Sequence, residues 1–307
     1  MNQLEDMQTF VRIVEAGSIT KAAEQLDTVK SAVSRRLSEL EKRLGVSLLT
    51  RTTRTQTLTT TGESYYQQCL RLIDDFAEVE SSIKNEHCSL VGRIKIAAPL
   101  SFGIAHLGPA LRQFNEINPE IRFDVDFNDR KIDLIEEGFD VAIRIAHLAD
   151  SSLIAKRLTD VKLVLSASPG YLKKYGRPKT PQDLNKGHVK LQYSDQPDSW
   201  HFTASQGKDS KGKSFNIKIP AVLKANNGEF LCQAAIDGIG LIYTPDFICY
   251  KAIRLGQLEP ILCEFIADNR INAYAVYPQT RHLSKRVRSL IDYLTLYFGD
   301  EPYWRIS

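Results

Sequence analysis

The sequence predicts an α/β protein in three parts: a small helical head, one long helix, and a larger region where strands and helices alternate. Three observations predict this. Over Lys30–Leu44, apolar residues recur at helical spacing beside a run of short polar and cationic side chains. Over 62–87 a stripe of apolar residues steps by four and three. From Gly92 onward, β-rich runs such as RIKIAAP, IRFDVDF and DVAIRI are separated by helical ones, the rhythm of a doubly wound sheet.

In the head, Leu4, Met7, Phe10, Val11 and Val14 share one helical face, and Gly17 ends that helix. Ser18 is placed to cap a short second helix, 19–26, whose Ala22 and Ala23 allow a close crossing. In Lys30–Leu44, Val33, Leu37, Leu40 and Leu44 fall on one face. Ser31, Ser34, Arg35, Ser38 and Lys42 fall on the other, and Gly45 is the stop. Two short helices joined by a tight turn make a helix-turn-helix. Residues 46–60 are rich in Thr, Leu and Val with Arg51 and Arg54 near the centre, which reads as a two-stranded wing with a basic tip. The first domain is therefore expected over 1–61.

Such a face suits a DNA major groove. Short side chains permit close approach, hydroxyl and guanidinium groups reach base edges, and cations meet phosphates. A solvated helix face carries similar residues; the preceding helix, the wing and the charge favour the groove. Residues 30–54 hold seven Lys or Arg (30, 35, 36, 42, 43, 51, 54) and two Glu (39, 41), a local net charge of +5 in a chain of only +3. The candidate DNA-binding residues are Lys30, Ser31, Ser34, Arg35, Ser38, Arg51 and Arg54.

The long helix, 62–87, carries Tyr65, Cys69, Leu72, Phe76, Val79 and Ile83 in one heptad stripe and Tyr66, Leu70, Ile73 and Ala77 in a second. Two stripes suggest a partner helix; the plainer alternative is packing on the chain's own domain. A linker helix and hinge over 62–91 are followed by a third domain over 92–307. There the expected helices are 103–118, 130–137 and 284–298, with SPGYLKKYG a capped short one. Expected strands include 163–167, LQYS, Trp200–Thr203, FNIKIPAVLKA and AYAVYP. NNGEFLCQAAIDGIGLIYTPDF reads as a helix, a Gly-rich turn and a buried strand, and 207–213 as a polar turn.

In open α/β sheets, ligands sit beyond the carboxyl ends of strands. Ser101 and Phe102, Asn128, His147, Tyr193, Asn226 and Asn227 occupy such places. Ser and Asn at helix N-termini suit an organic anion. Each could instead be an ordinary cap or turn residue.

Catalysis is not expected. The six His (87, 106, 147, 188, 201, 282) form no HExxH or other metal spacing, and GxSxG, a Walker loop and GxGxxG after a strand are missing. Glu136 and Glu137 are consecutive and would point apart on a helix. No metal and no cofactor are expected. Cys69, Cys88, Cys232, Cys249 and Cys263 are odd in number and make no CxxC, against a disulfide framework or zinc site. No apolar run approaches the roughly 20 residues of a membrane span, and MNQLEDMQTF is no secretory signal, so a cytoplasmic protein without membrane contact is expected.

AAEQL, SAVSRRLSELEKRLGVSLLTRTTR and LTTTGESYY resemble the LysR-type transcriptional regulators. The likeness extends through AAPLSFG, EEGFDVAIRI, DSSLIAKRL, LSASPGYL, GEFLCQAAIDGIGLIYTPDF and VYPQTRHLSKRVRSLIDYL. It implies a C-terminal effector domain similar to periplasmic binding proteins: two α/β lobes, one of about 92–165 and 266–300, the other of about 166–265. It also implies pairing through the linker helix into a homodimer or homotetramer, double-stranded DNA and a small-molecule effector as partners, and RNA polymerase as a further candidate partner. The family places a polar effector contact at Ser101. Two positions depart from its pattern. Val29 stands where the family has a capping Ser, leaving Thr28 as the expected cap, and Asn227 stands where it often has Asp. Two rivals remain: a small-molecule binding protein whose head only oligomerises, and a redox regulator acting through Cys232 or Cys249.

Overall fold

The computed structural model describes residues 2–51, 56–84, 90–130, 132–146, 153–194, 196–203, 214–266, 270–278 and 283–306. The head is built from α1 (Gln3–Ala16), α2 (Ile19–Gln25), α3 (Lys30–Leu44) and the strand pair β1 (Leu49–Arg51) and β2 (Gln56–Leu58). Asn2 caps α1, and Gly17 closes it in the left-handed conformation at φ 68°. Ser18 caps α2 by accepting from the Lys21 N–H at 3.2 Å. Ala22 and Ala23 are buried under α1, so their small size allows the close crossing. Val33, Leu37 and Leu40 are buried with Phe10, Ile13, Leu48 and Cys69 in one core. Leu44, expected on this face, is 38% exposed, because the helix ends there at Gly45 (φ 71°). Val29 holds the cap position without a side-chain bond, and Thr28 lies one residue outside it.

α4 (Thr60–Lys84) is the long helix. Its heptad stripe divides into two parts. Cys69 is buried and Tyr65 packs on Phe10 with ring centroids 5.5 Å apart, so the first turns belong to the head's own core. Leu72, Phe76 and Val79 are 51%, 46% and 59% exposed, an exposed apolar run along the middle of α4, while the side chain of Ile83 lies outside the described residues.

Among the described residues, nine strands then form one sheet, in the order Ala221–Ala225, Lys190–Tyr193, Leu241–Pro245, Leu153–Ala167, Arg270–Pro278, Val141–Ala146, Gly92–Ala98, Ile121–Phe127, with Glu259–Pro260 also paired to Leu153–Ala167. The first half comprises β3 (Gly92–Ala98), α5 (Leu100–Phe102), α6 (Gly108–Ile117), β4 (Ile121–Phe127) and β5 (Val141–Ala146). Here β3 runs parallel to β4 and β5. Next comes β6 (Leu153–Ala167), whose 15 residues serve both halves. It pairs with β13 up to Lys162 and with β11 from Leu163. The second half comprises α7 (Pro169–Tyr175), β7 (Lys190–Tyr193), β8 (Trp200–Thr203), β9 (Ser214–Ile217), β10 (Ala221–Ala225), α8 (Gly228–Ile236), β11 (Leu241–Pro245), α9 (Asp246–Arg254) and β12 (Glu259–Pro260). β13 (Arg270–Pro278) and α10 (Lys285–Phe298) return to the first half, where Leu290, Ile291 and Leu294 join Ile94, Ile96 and Phe114 in the core.

Several expectations are corrected. Among the described residues of 130–137 no helix forms. The Asp133 carboxylate accepts the N–H groups of Ile135 and Glu136 at 2.9 and 3.0 Å, and the turn ends at Gly138, φ 77°. Among the described residues only Ile132 and Leu134 of this segment, with Phe139 just after it, face the core, too few for a helical stripe. FNIKIPAVLKA is two strands: β9 pairs with β8 and β10 with β7, because Pro220 cannot donate to a ladder. The helix expected from 103 begins at Leu100 and passes through a π turn, Gly103–Leu107, before α6. At Gly103 a Cβ would come 2.4 Å from the Phe127 ring, so only glycine lets that ring lie on the helix. The turn expected at 207–213 lies outside the described residues.

The tail after α10 folds back over an aromatic box. Trp304 is fully buried, 4.4 Å from His106 and 5.7 Å from Phe298 by ring centroids. His106 Nε2 faces the Phe247 carbonyl at 3.2 Å and Nδ1 faces the Tyr303 hydroxyl at 2.6 Å. The neutral ring meets both, donating at Nε2 and accepting at Nδ1. Burial lowers this imidazole to about 4, opposed by the Phe247 bond and reinforced by Lys251. The unfolded chain takes up the proton near 6.5, while the folded chain resists until about 4. Stability is therefore full above pH 6.5 and falls as pH drops through that window, by up to about 3 kcal/mol. Denaturant titrations at pH 7, 5.5 and 4.5 should show that loss, and His106→Gln should flatten it; an equal slope in the variant would assign it to other groups.

Candidate nucleic-acid interface and effector site

On α3, Lys30, Ser31, Arg35 and Ser38 are exposed and Ser34 is half-buried; Ser31, Arg35 and Ser38 lie on the side away from Val33, Leu37 and Leu40, and Lys30 opens the first turn. Asp27 takes the left-handed conformation, φ 49°, in the turn that sets α3 across α2. The cations of this segment are not equivalent. Arg36 pairs with Glu5 at 2.9 Å and Arg43 with the buried Asp6 at 3.1 Å, so α1 neutralises both in place. Arg35 stays 76% exposed, with Glu39 at 3.8 Å along the helix, a weak exposed pair. The positive face is thus narrower than the local charge of +5 suggested. Nothing in the local sequence marks Arg36 and Arg43 as structural, because their partners lie some 30 residues earlier on another helix.

The wing is short. Leu49 pairs with Leu58 and Arg51 with Gln56. Arg51 ends β1, whereas Arg54 lies outside the described residues. At the wing's root, Glu41 Oε1 accepts the N–H groups of Leu48 at 2.8 Å and Leu49 at 3.2 Å. The Thr59 hydroxyl donates to the Ser47 carbonyl and accepts the Gly62 N–H at 2.9 Å. In the sequence alone Glu41 is one of two negative charges within the basic segment.

The effector candidates fall into two groups. Asn128 N–H donates to the Ala98 carbonyl at 3.0 Å, bringing Asn128 beside the segment that opens at Leu100 and Ser101. Ser101 is buried there, and Asn128 Oδ1 is buried without a hydrogen-bond partner, while its amide donates to Asp126 at 2.8 Å. In the second half, Ser194 N–H donates to the Ala225 carbonyl at 2.9 Å, which joins the ends of β7 and β10 and places Tyr193 near Asn226 and Asn227. Asn226 is exposed; Asn227 caps α8, its side chain accepting the Phe230 N–H at 2.8 Å. Both groups lie at carboxyl ends of parallel strands, where the sheet rule expects a ligand. Phe102 differs: it is fully buried, packing on Phe247, Phe298 and Trp304, and belongs to the core rather than to a binding wall. His147 lies outside the described residues.

A polar junction that the sequence did not reveal joins α4 to the sheet. The buried Arg286 pairs with Asp75 at 2.9 Å and donates to the Arg93 carbonyl at 3.1 Å. The Arg93 N–H donates to Asp74 at 3.1 Å, and the Lys95 N–H to Asp140 at 2.8 Å. Burial raises both carboxyls, against those N–H bonds and neighbouring arginines.

The comparisons with known proteins agree with this architecture. Residues 4–63 match the family model described as bacterial regulatory helix-turn-helix protein, lysR family, and 89–298 match the LysR substrate binding domain. The chain belongs to the LysR-type transcriptional regulators. The LysR-type regulator CrgA of Neisseria meningitidis is 34% identical over 296 residues, covering 96% of this chain and 97% of that protein. An HTH-type transcriptional repressor of Pseudomonas aeruginosa is 32% identical over 305 residues, covering 98% of this chain and 94% of that protein. The solved structure of CrgA superposes with a TM-score of 0.61 at 33% identity, covering 96% of this chain and 99% of that one. The N-terminal winged helix-turn-helix, the long helix and the α/β effector-binding domain are therefore those of a LysR-type regulator.

Proposed function

We propose that this LysR-type regulator binds promoter DNA as a symmetric dimer, or a dimer of dimers, and that a small effector shifts the arrangement of the paired heads. The observation carrying this reading is the outer side of α3, where Ser31, Arg35 and Ser38 are exposed, Ser34 is half-buried and Lys30 is exposed at the first turn. Ser31, Ser34 and Arg35 meet base edges and nearby phosphates; Lys30, Ser38, Arg51 and Arg54 hold the backbone. The domain division follows: 1–61 for DNA, 62–91 for pairing, and 92–307 for the effector. The exposed Leu72, Phe76 and Val79 supply the pairing stripe. Two recognition helices related by a two-fold axis read a palindromic site. Phe76→Asp should therefore shift the protein to monomer in sedimentation experiments; an unchanged dimer would exclude this stripe.

The effector is a small organic anion held between Ser101 with Asn128 and Tyr193 with Asn226, Asn227 serving mainly as the cap of α8. Its differential affinity for two arrangements of the dimer changes half-site contact. The protein turns over no substrate, works in the cytoplasm, and engages RNA polymerase as a further partner. Genome-wide capture of bound DNA tests the reading, and the genes beside the sites narrow the effector. Ser34→Ala should weaken specific binding more than non-specific binding. Arg51→Ala should weaken all duplexes alike and flatten the salt dependence, its logarithmic slope falling by about 1. Equal losses in both classes for Ser34→Ala, or an unchanged salt slope for Arg51→Ala, would contradict these roles.

The redox alternative fares worse. Burial pushes the Cys232 thiol to about 11 and Cys249 higher still, so neither holds much thiolate near neutrality. Cys263 is exposed, yet its thiol is also raised. DNA binding altered by thiol oxidation and lost in Cys232→Ser or Cys249→Ser would revive it.

A further inference from the structure

We propose that Glu41 is the positioning residue of the wing: its carboxylate, carried on the recognition helix, holds the root of β1 so that the wing's cations track the DNA backbone whenever α3 enters the groove. This rests on the DNA-binding reading above and concerns a residue that reading does not use.

The geometry is specific. Through its backbone, Glu41 ends the helix: its carbonyl accepts the Gly45 N–H at 2.9 Å and the Val46 N–H at 3.3 Å. Through its side chain, it starts the wing: one oxygen, Oε1, accepts from both Leu48 and Leu49. A single residue therefore fixes both ends of the connection between α3 and β1. Leu48 and Leu49 are themselves buried in the head's core, so their N–H groups are poorly placed to find water instead. From Leu49 the strand runs straight to Arg51, two residues on.

The root is held from a second side. The Leu48 carbonyl accepts the Thr59 N–H at 3.0 Å, and α4 passes so close above it that Gly62 has no room for a side chain. Glu41 thus couples α3 to a joint that α4 also grips. A negative charge beside a DNA-binding face is otherwise a cost, since it repels phosphate. The two bonds to main-chain N–H groups give a physical reason for carrying it; bonds of this kind to an ionised acceptor are stronger than neutral ones.

The test uses the full-length protein and two substitutions that remove the same charge. Glu41→Gln keeps a carbonyl oxygen in the place of Oε1; Glu41→Ala keeps no acceptor. If charge alone mattered, both would bind DNA more tightly and alike. Fluorescence anisotropy with a duplex recovered by capture, and with a random-sequence duplex, should separate them. The Gln variant is expected to match or slightly exceed wild type with an unchanged salt slope. The Ala variant should bind roughly tenfold more weakly, with a salt slope shallower by about 1, the signature of a lost phosphate contact. Hydrogen exchange at the Leu48 and Leu49 amides should accelerate in Glu41→Ala and remain near wild type in Glu41→Gln. Exchange at the amides of α1, α2 and the rest of the chain, unchanged in Glu41→Ala, shows that the variant is folded elsewhere. Two variants that behave alike in affinity, slope and exchange would overturn the proposal while wild-type binding stands. Wild-type protein that binds no duplex would instead overturn the DNA-binding reading and this role with it.

Discussion

Trp304→Ala is expected to destabilise the effector half by about 3–5 kcal/mol, the cost of emptying a fully buried Trp site. A calorimetric transition should move down by roughly 10 °C for a unit of this size. The loss exceeds that of an ordinary core truncation in consequence, because the ring joins elements from both halves of the sheet. It packs on Phe102 and Phe298 from the first half and on Phe247 of α9 from the second. The same tail adds a bond from Arg254 to the Tyr303 carbonyl at 2.6 Å and places Arg305 3.6 Å from Asp160 on the shared strand β6. The match to the LysR substrate binding domain stops at 298, so this fastening lies beyond the family model. A midpoint that moves by less than about 2 °C would mean the tail does not hold the halves together. DNA binding by the head should change little when measured well below the new midpoint.

Gly62→Ala is expected to reverse the usual sign of a helical Gly→Ala change. In an open helix position, alanine gains about 1 kcal/mol over glycine. At Gly62 a Cβ would lie 1.9 Å from the Leu48 carbonyl oxygen and 2.9 Å from its carbon. That oxygen is main chain and already accepts the Thr59 N–H, so relief requires α4 to lift off the wing root or the strand to move. Overpacking of this kind costs about 1–3 kcal/mol or more, which outweighs the helical gain. The expected result is a lower melting point of the head and at least tenfold weaker DNA binding, with the effector half unaffected. A variant that is as stable as wild type and binds DNA equally well would show that α4 does not bear on the wing.

Much of the head was legible because its signals are local. The Lys30–Leu44 helix follows from a period of 3.6, a Gly stop and a cap at Ser18 before α2, and all lie within a few residues of the elements they define. The 130–137 segment was expected as a helix from the alternation of strands and helices around it, but Asp133 diverts the chain into a single turn and too few side chains reach the core. FNIKIPAVLKA looked like one strand until pairing with two different partners, on either side of Pro220, divided it. Of the candidate site, the exposed face of α3 was readable from periodicity. The sheet-end positions of Ser101, Asn128, Tyr193 and Asn226 were readable from strand order. Phe102 was misjudged because a residue beside a strand end can turn either outward or into the aromatic box, and neighbours nearly 200 residues away make that choice.

By itself the sequence determined that this chain carries a winged helix-turn-helix, a long linker helix and an alternating α/β region, since hydrophobic period, caps and stops are properties of neighbouring residues. The tertiary structure alone decided which charges remain free for DNA: Arg36 and Arg43 are held by Glu5 and Asp6, and Glu41 is spent on the wing. It also decided that β6 belongs to both halves and that Trp304 fastens them. Each of these depends on a contact between residues far apart in the chain, whose energy exists only once the intervening segments have closed the distance.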